Sequence, residues 1–232
     1  MKQNQKKPLL ILLRHGESQW NQKNVFTGWV DIPLSAKGVE EAIRAGTIIQ
    51  NIPIDIIFTS ALIRAQMTTF LAMLYHGSGK VPVLLHPGEG NMDKWGKMYS
   101  EKMEEETIPT FASWHLNERM YGELQGKNKK EMADQFGPEK VQYWRRNYHA
   151  EPPGGESLFL TKQRTIPYFQ ENIMPYIQQG KNVLISAHGN SLRSIAMDIE
   201  NLSEEEIPLR EFVTGEPVFY RYTNGTWEKG IE

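Results

Sequence analysis

The 232-residue chain has no cysteine. That absence excludes disulfides, thiolate metal ligands and a cysteine nucleophile, and it fits a reducing compartment; the cytoplasm is the expected location. Charge of one sign is also lacking. The 26 basic and 28 acidic side chains leave a formal net charge of -2, too little for a global field that would draw the chain to nucleic acid or to an anionic membrane surface. Neither partner is expected, and any anion site must be local. No stretch approaches the roughly 18 consecutive apolar residues that span a bilayer. The opening MKQNQKKPLLILL sets basic residues ahead of an apolar run, but Pro8 to Leu13 is too short for a signal-peptide core and runs directly into Arg14. No export is expected, so the glycosylation-like triplets at Asn201 and Asn224 read as chance.

What is present is an alternation. Pro8 to Leu13, Ile54 to Ser60 and Asn182 to Ala187 are apolar runs of the kind buried on both faces of a parallel sheet. The first two are followed by helical periodicity at Ser35 to Asn51 and Ala61 to Tyr75, the third by SLRSIAMDIENL. Val218 to Tyr222 is a last strand candidate. This pattern predicts an α/β fold in one domain, with a mostly parallel central sheet, helices on both faces and a ligand cleft beyond the carboxyl ends of the strands. The segment 84–110, rich in Met, charge and helix breakers, reads as an insertion rather than a sheet element. A solvated surface loop with a short helix is the plain reading, a lid or subunit contact the other.

Several motifs fail on inspection. Gly77-Ser-Gly79-Lys80 lacks the upstream glycine of a phosphate loop, and Val81 follows where a hydroxyl is needed. Gly189-Asn-Ser191-Leu-Arg193 opens like a nucleophile elbow but places arginine at the last glycine position. The acidic run Glu104 to Glu106 has no His or Asp at ligand spacing, so no metal is expected. His76, His86, His115 and His149 are isolated and read as structural.

Chemistry concentrates at strand ends. Arg14 and His15 close one apolar run, His188 and Asn190 follow another, and Arg64 stands a turn into the helix after a third. A buried strand tolerates a charged pair at its end only where the chain reaches a cleft. A neutral imidazole accepts a phosphoryl group near pH 7, and guanidinium forks match phosphate geometry. Asn21 and the backbone amides of glycine-rich turns add neutral donors. Phosphoryl transfer without metal needs these parts.

The stretch RHGESQWNQKNVFTGWVDIPLSAKG, followed in order by SALIRA, LNERMYGELQGKNK, YWRR and AHGNSLR, resembles the histidine phosphatase superfamily and, within it, the cofactor-dependent phosphoglycerate mutases. The resemblance spans most of the chain. It implies that His15 becomes phosphohistidine, with Arg14, Arg64 and His188 around the transferring group and Asn21, Gly189 and Asn190 adding hydrogen bonds. Glu118 is implied as the general acid and base; its plain alternative is a surface ion pair with Arg119. Thr27, Gly28, Tyr121, Lys129, Arg145 and Arg146 match positions that hold the glycerate carboxylate and second phosphate. The implied reaction interconverts 3-phosphoglycerate and 2-phosphoglycerate, primed by 2,3-bisphosphoglycerate and excluding water. The competing reaction is that of a phosphatase of the same superfamily, in which water takes the phosphoryl group; a non-catalytic phospholigand-binding protein is a third reading, disfavoured by the presence of both a nucleophile and a proton-transfer carboxylate. Members are often dimers or tetramers, so a homo-oligomer is an expectation that no feature of this sequence refines. Met120 stands where many members have histidine, and the tail after Tyr222 is brief.

Overall fold

The structure, a computed structural model, describes residues 7–96 and 100–230. Residues 1–6, three residues of the 84–110 segment and the last two residues lie outside this range. Seven strands form one sheet: β1 (Leu9–Arg14), β2 (Ile56–Ser60), β3 (Val81–Leu84), β4 (Thr107–Ser113), β5 (Val183–Ala187), β6 (Pro217–Thr223) and β7 (Thr226–Lys229). Their spatial order is β3-β4-β2-β5-β1-β6-β7. The first five pair in parallel, whereas β6 runs antiparallel to β1 and to β7. The helices are α1 (Gln19–Gln22), α2 (Ala36–Ile49), α3 (Ile63–Leu74), α4 (Asn91–Trp95), α5 (Glu101–Glu106), α6 (Lys129–Phe136), α7 (Pro138–Arg146), α8 (Leu158–Tyr168), α9 (Met174–Gln178) and α10 (Gly189–Glu200).

The mostly parallel sheet expected from the alternation is present, and β1 shows why its sequence has no polar alternation. Leu10 and Leu12 enter one core with Phe58, Ile185 and the α10 residues Leu192, Ile195 and Ile199. Leu9, Ile11 and Leu13 enter a second core with Ala45 and Ile49 of α2 and Ala72 and Met73 of α3. Successive side chains point to opposite faces, and both faces are covered. The helix starts are written locally: Ser35 and Ser157 accept the backbone N–H groups of Gly38 and Leu160 at 3.1 and 3.2 Å. Helices α2 and α3 approach so closely that a Cβ on Gly46 would lie 2.2 Å from the carbonyl oxygen of Ala72.

The segment 84–110 differs from its sequence reading at both ends. Leu84 closes β3, and Thr107 to Thr110 open β4, paired with β3 through Val81↔Thr107 to Leu84↔Thr110. The signal was obscured because β3 is a short edge strand containing Pro82, and β4 carries threonines and Pro109 instead of an apolar run. Between the strands lie α4 and α5, without a buried residue in either. The tail after Tyr222 is the turn and second strand of a hairpin. A smaller core of Phe26, Leu124, Met132, Val141 and Trp144 holds α6 and α7 together, and with them the basic residues that they carry.

Candidate active site

Strands β2, β5 and β1 are neighbours, so the residues leaving their carboxyl ends stand side by side. His15 follows β1 and donates its backbone N–H to Ala187 at 3.0 Å. His188 follows β5, and the two imidazole centroids are 4.8 Å apart, one inter-strand spacing. On its other side His188 Nε2 is 2.6 Å from the Oγ of Ser60, the last residue of β2. His15 Nδ1 is 2.6 Å from the Gly16 carbonyl oxygen. A carbonyl only accepts, so Nδ1 carries the proton and Nε2 keeps its lone pair. Burial, then the Arg64 and Arg14 guanidiniums, hold the His15 pKa well below its ordinary value despite the bond to Gly16. Burial and then Arg64 do the same at His188. Both rings are therefore neutral near pH 7.

Arg64 is 1% exposed and donates to the carbonyls of Val30 and Gly28 at 3.0 and 2.8 Å. It lies in the first turn of α3, because that helix begins at Ile63, later than its periodicity predicts. Burial lowers its pKa to about 10, which leaves it charged at pH 7. Arg14 donates from one terminal nitrogen to the Phe212 carbonyl at 2.7 Å. Its Nε is buried without a partner. An orphaned buried polar atom costs about 1–3 kcal/mol, and one on a cation that lines the cleft fits an anionic ligand.

Glu118 completes the inner site. Its Oε1 accepts from the Arg119 and Asn190 backbone N–H groups at 2.8 and 3.2 Å and from the Asn190 side-chain amide at 2.7 Å. Burial works to raise its pKa, but the bonds from Arg119 and Asn190 and the charges of Arg14 and Arg64 outweigh it and leave the pKa lowered. No ion pair with Arg119 forms: that guanidinium turns to the Tyr121 hydroxyl and the Arg145 carbonyl.

These residues open into a cleft of about 160 Å³ whose wall also contains Asn21, Thr27, Gly28, Tyr121, Lys129, Arg145, Arg146, Gly189 and Asn190. Every predicted site residue except His188 is in that wall, and His188 lies against His15. Asn21 turns its Oδ1 to Ser18, which leaves its amide nitrogen for a ligand. Gly28 sits at φ +52°, and a Cβ there would lie 2.1 Å from the Gln125 side-chain oxygen, so the FTGW turn needs glycine. Burial lowers the Lys129 pKa, with Arg145 and Arg14 adding to it against the opposing influence of Tyr121. Among the described residues, none from 84–110 lines the cleft, and no group of three or more His, Asp or Glu side chains is placed to hold a metal ion.

The sequence reading missed Val25, Phe26, Arg193 and Glu211. Arg193 had a usable signal, since it stands one helical turn beyond Gly189 and Asn190. Glu211 had none; it pairs with Arg146 at 2.8 Å and Arg193 at 3.2 Å across a long sequence gap. Ser191 bonds the backbone of His188, as suits a helix-capping residue. Of the isolated histidines, His76 holds the Ile52 carbonyl and Ser78, His86 pairs with Glu89, and His149 pairs with Glu204. His115 stacks between Trp114 and Tyr168.

Residues 10–115 and 105–229 match the histidine phosphatase superfamily (branch 1). The chain belongs to this superfamily. Within it, the chain is 57% identical over 220 residues to the 2,3-bisphosphoglycerate-dependent phosphoglycerate mutase of Protochlamydia amoebophila, covering 95% of this chain and 97% of that one. It is 60% identical over 223 residues to the enzyme of the same name from Chlamydia felis, covering 96% and 97%. A solved structure titled mycobacterial hydrolase 1 superposes with a TM-score of 0.75 at 18% identity, covering 97% of each chain, a likeness of fold. The superfamily match contains every residue that lines the cleft.

Proposed function

We propose that the protein is a 2,3-bisphosphoglycerate-dependent phosphoglycerate mutase, interconverting 3-phosphoglycerate and 2-phosphoglycerate through phosphohistidine at His15. The observation that carries this reading is a buried, neutral His15 with Nε2 free, set between Arg14, Arg64 and His188 in a cleft whose outer wall adds Lys129, Arg145, Arg146 and Arg193. The nucleophile is ready without a separate base, because its tautomer is fixed by Gly16. The Arg14 and Arg64 guanidiniums neutralise the phosphoryl oxygens through the transition state. The outer cations suit a ligand with a second phosphate and a carboxylate, and a general phosphatase has no need of them. When bound, 2,3-bisphosphoglycerate supplies the phosphoryl group that charges His15.

Glu118 moves the proton. With His15 phosphorylated, its carboxylate accepts the proton of the attacking substrate hydroxyl, and in the reverse direction it returns that proton to the leaving oxygen. A phosphoryl group beside the carboxylate raises its pKa by like-charge repulsion, which favours the protonated form when an oxygen must leave. The reading includes a cytoplasmic location and phosphoglycerates as the ligands.

An enolase-coupled assay of 3-phosphoglycerate conversion, with and without 2,3-bisphosphoglycerate and with released phosphate measured in parallel, tests this. Primer-dependent isomerisation with little phosphate release is expected, and it is abolished in His15→Ala. Phosphate release without isomerisation makes the enzyme a phosphatase instead.

A further inference from the structure

Glu118 is held at its carboxylate by Asn190 and Arg119, but its backbone is held by residues outside the cleft. Arg164 of α8 forms a two-pronged pair with Glu156, Nε to Oε1 at 2.8 Å and a terminal nitrogen to Oε2 at 2.9 Å. The same guanidinium reaches the carbonyls of His115, Asn117 and Glu118 at 2.8, 3.1 and 2.9 Å. Glu156 in turn accepts the Met120 N–H at 2.9 Å, so one ion pair grips the chain on both sides of Glu118. Trp29 lies under the guanidinium at 5.4 Å and donates its indole N–H to the Glu118 carbonyl at 2.6 Å. The pair is mostly shielded, with side-chain exposures of 9% for Arg164 and 19% for Glu156.

We infer that Arg164, braced by Glu156, is the positioning residue that aims Glu118 at the reacting oxygen. This rests on the proton-transfer role proposed for Glu118. Among the described residues, no other side chain reaches as many carbonyls at and before Glu118, and only a guanidinium has the fixed fork of donors to do so. Lysine keeps the charge and loses the fork. Displacing a catalytic group by about 1 Å costs about a hundredfold in rate, so the consequence falls on proton transfer while the phosphate pocket is left intact.

Leaving-group dependence separates this from a general structural effect. Phosphorylation of His15 is followed by rapid quench with two donors: 2,3-bisphosphoglycerate, whose departing alkoxide needs a proton, and p-nitrophenyl phosphate, whose departing phenolate does not. For Arg164→Lys and Glu156→Gln the expected result is about a hundredfold slower phosphorylation from 2,3-bisphosphoglycerate, little change from the aryl phosphate, and unchanged affinity for inorganic phosphate. Adding Arg164→Lys to Glu118→Gln is expected to produce no further loss, because Arg164 acts only through Glu118. Equal losses with both donors, or losses that multiply in the double variant, overturn the inference. Glu118→Gln alone serves as the control: if it slows both donors equally, the role of Glu118 itself fails, and the positioning argument falls for that distinct reason.

Discussion

Two buried neutral histidines make the fold acid-sensitive in a specific window. In the unfolded chain each takes up a proton as the pH falls through about 6.5; in the native protein burial and the neighbouring arginines keep His15 and His188 neutral. The unfolded state then binds more protons, so stability is lost as the pH drops through 6.5 and is unaffected by these groups well above it. Between pH 7 and pH 5.5 the loss reaches at most about 1.3 kcal/mol for each histidine, about 2.5 kcal/mol for the pair, the limit set by the ordinary value in the unfolded chain. The lowered carboxylates, Glu118 among them, titrate below their ordinary value of 4.5 and stay out of this window. Urea unfolding at the two pH values measures the loss directly. His15→Gln is expected to remove about half of it, and saturating inorganic phosphate is expected to reduce it further, because a bound anion favours the protonated rings. If His15→Gln loses as much stability on acidification as the parent, the neutral buried state of His15 is refuted.

Arg145→Ala is expected to raise the KM for 3-phosphoglycerate by roughly tenfold to a hundredfold, the worth of a charge-assisted hydrogen bond, with His15 phosphorylation by the primer retained; an unchanged KM removes Arg145 from the clamp. Gly46→Ala drives a methyl group into the Ala72 carbonyl and is expected to destabilise the fold by about 1–3 kcal/mol while kcat per folded molecule is preserved, a balance that denaturant titration and activity measured together will check. Tyr220→Phe removes the 2.5 Å bond from the buried hydroxyl to Glu200 and is expected to cost about 1.5–3 kcal/mol. Because Arg210 and Lys229 also hold that carboxylate, an urea midpoint shift much larger than this range points to collapse of the whole network.

The legible parts of the fold were those where one residue type repeats for one reason. Strands β1, β2 and β5 are buried on both faces, so their sequences are plain apolar runs, and each ends at a residue of the site. Strand β7 is short and mostly exposed, with one apolar side chain, Trp227, packed against the core, and the Asn224-Gly225 turn before it is what betrays a hairpin. Helix α8 holds Pro167 and passes into a π-helical turn at Phe169–Ile173, which blurs its periodicity. The inner site was legible because its residues follow strands directly or belong to recognisable motifs. Glu211, Glu156 and Arg164 were not, since the contacts that tie each to the site, with Arg146, Met120 and the 115–118 backbone, span long sequence gaps that only the folded chain closes.

The position of β5 sets an order of assembly. Leu10 pairs with Val183, and Ile57 pairs with Leu184, so the strand at the centre of the sheet leaves the ribosome only after both of its neighbours. Until it arrives, the facing edges of β1 and β2 are open to the solvent, templates for pairing with other chains. The insertion of β5 closes these two facing edges at once and carries His188 between Ser60 and His15. A nascent chain that ends before this strand has neither a continuous sheet nor a complete phosphate pocket. The two halves of the sheet are therefore joined, and His188 is brought to His15, in the same step of folding over a long loop closure, and any factor that shields the residues before β5 during synthesis protects both.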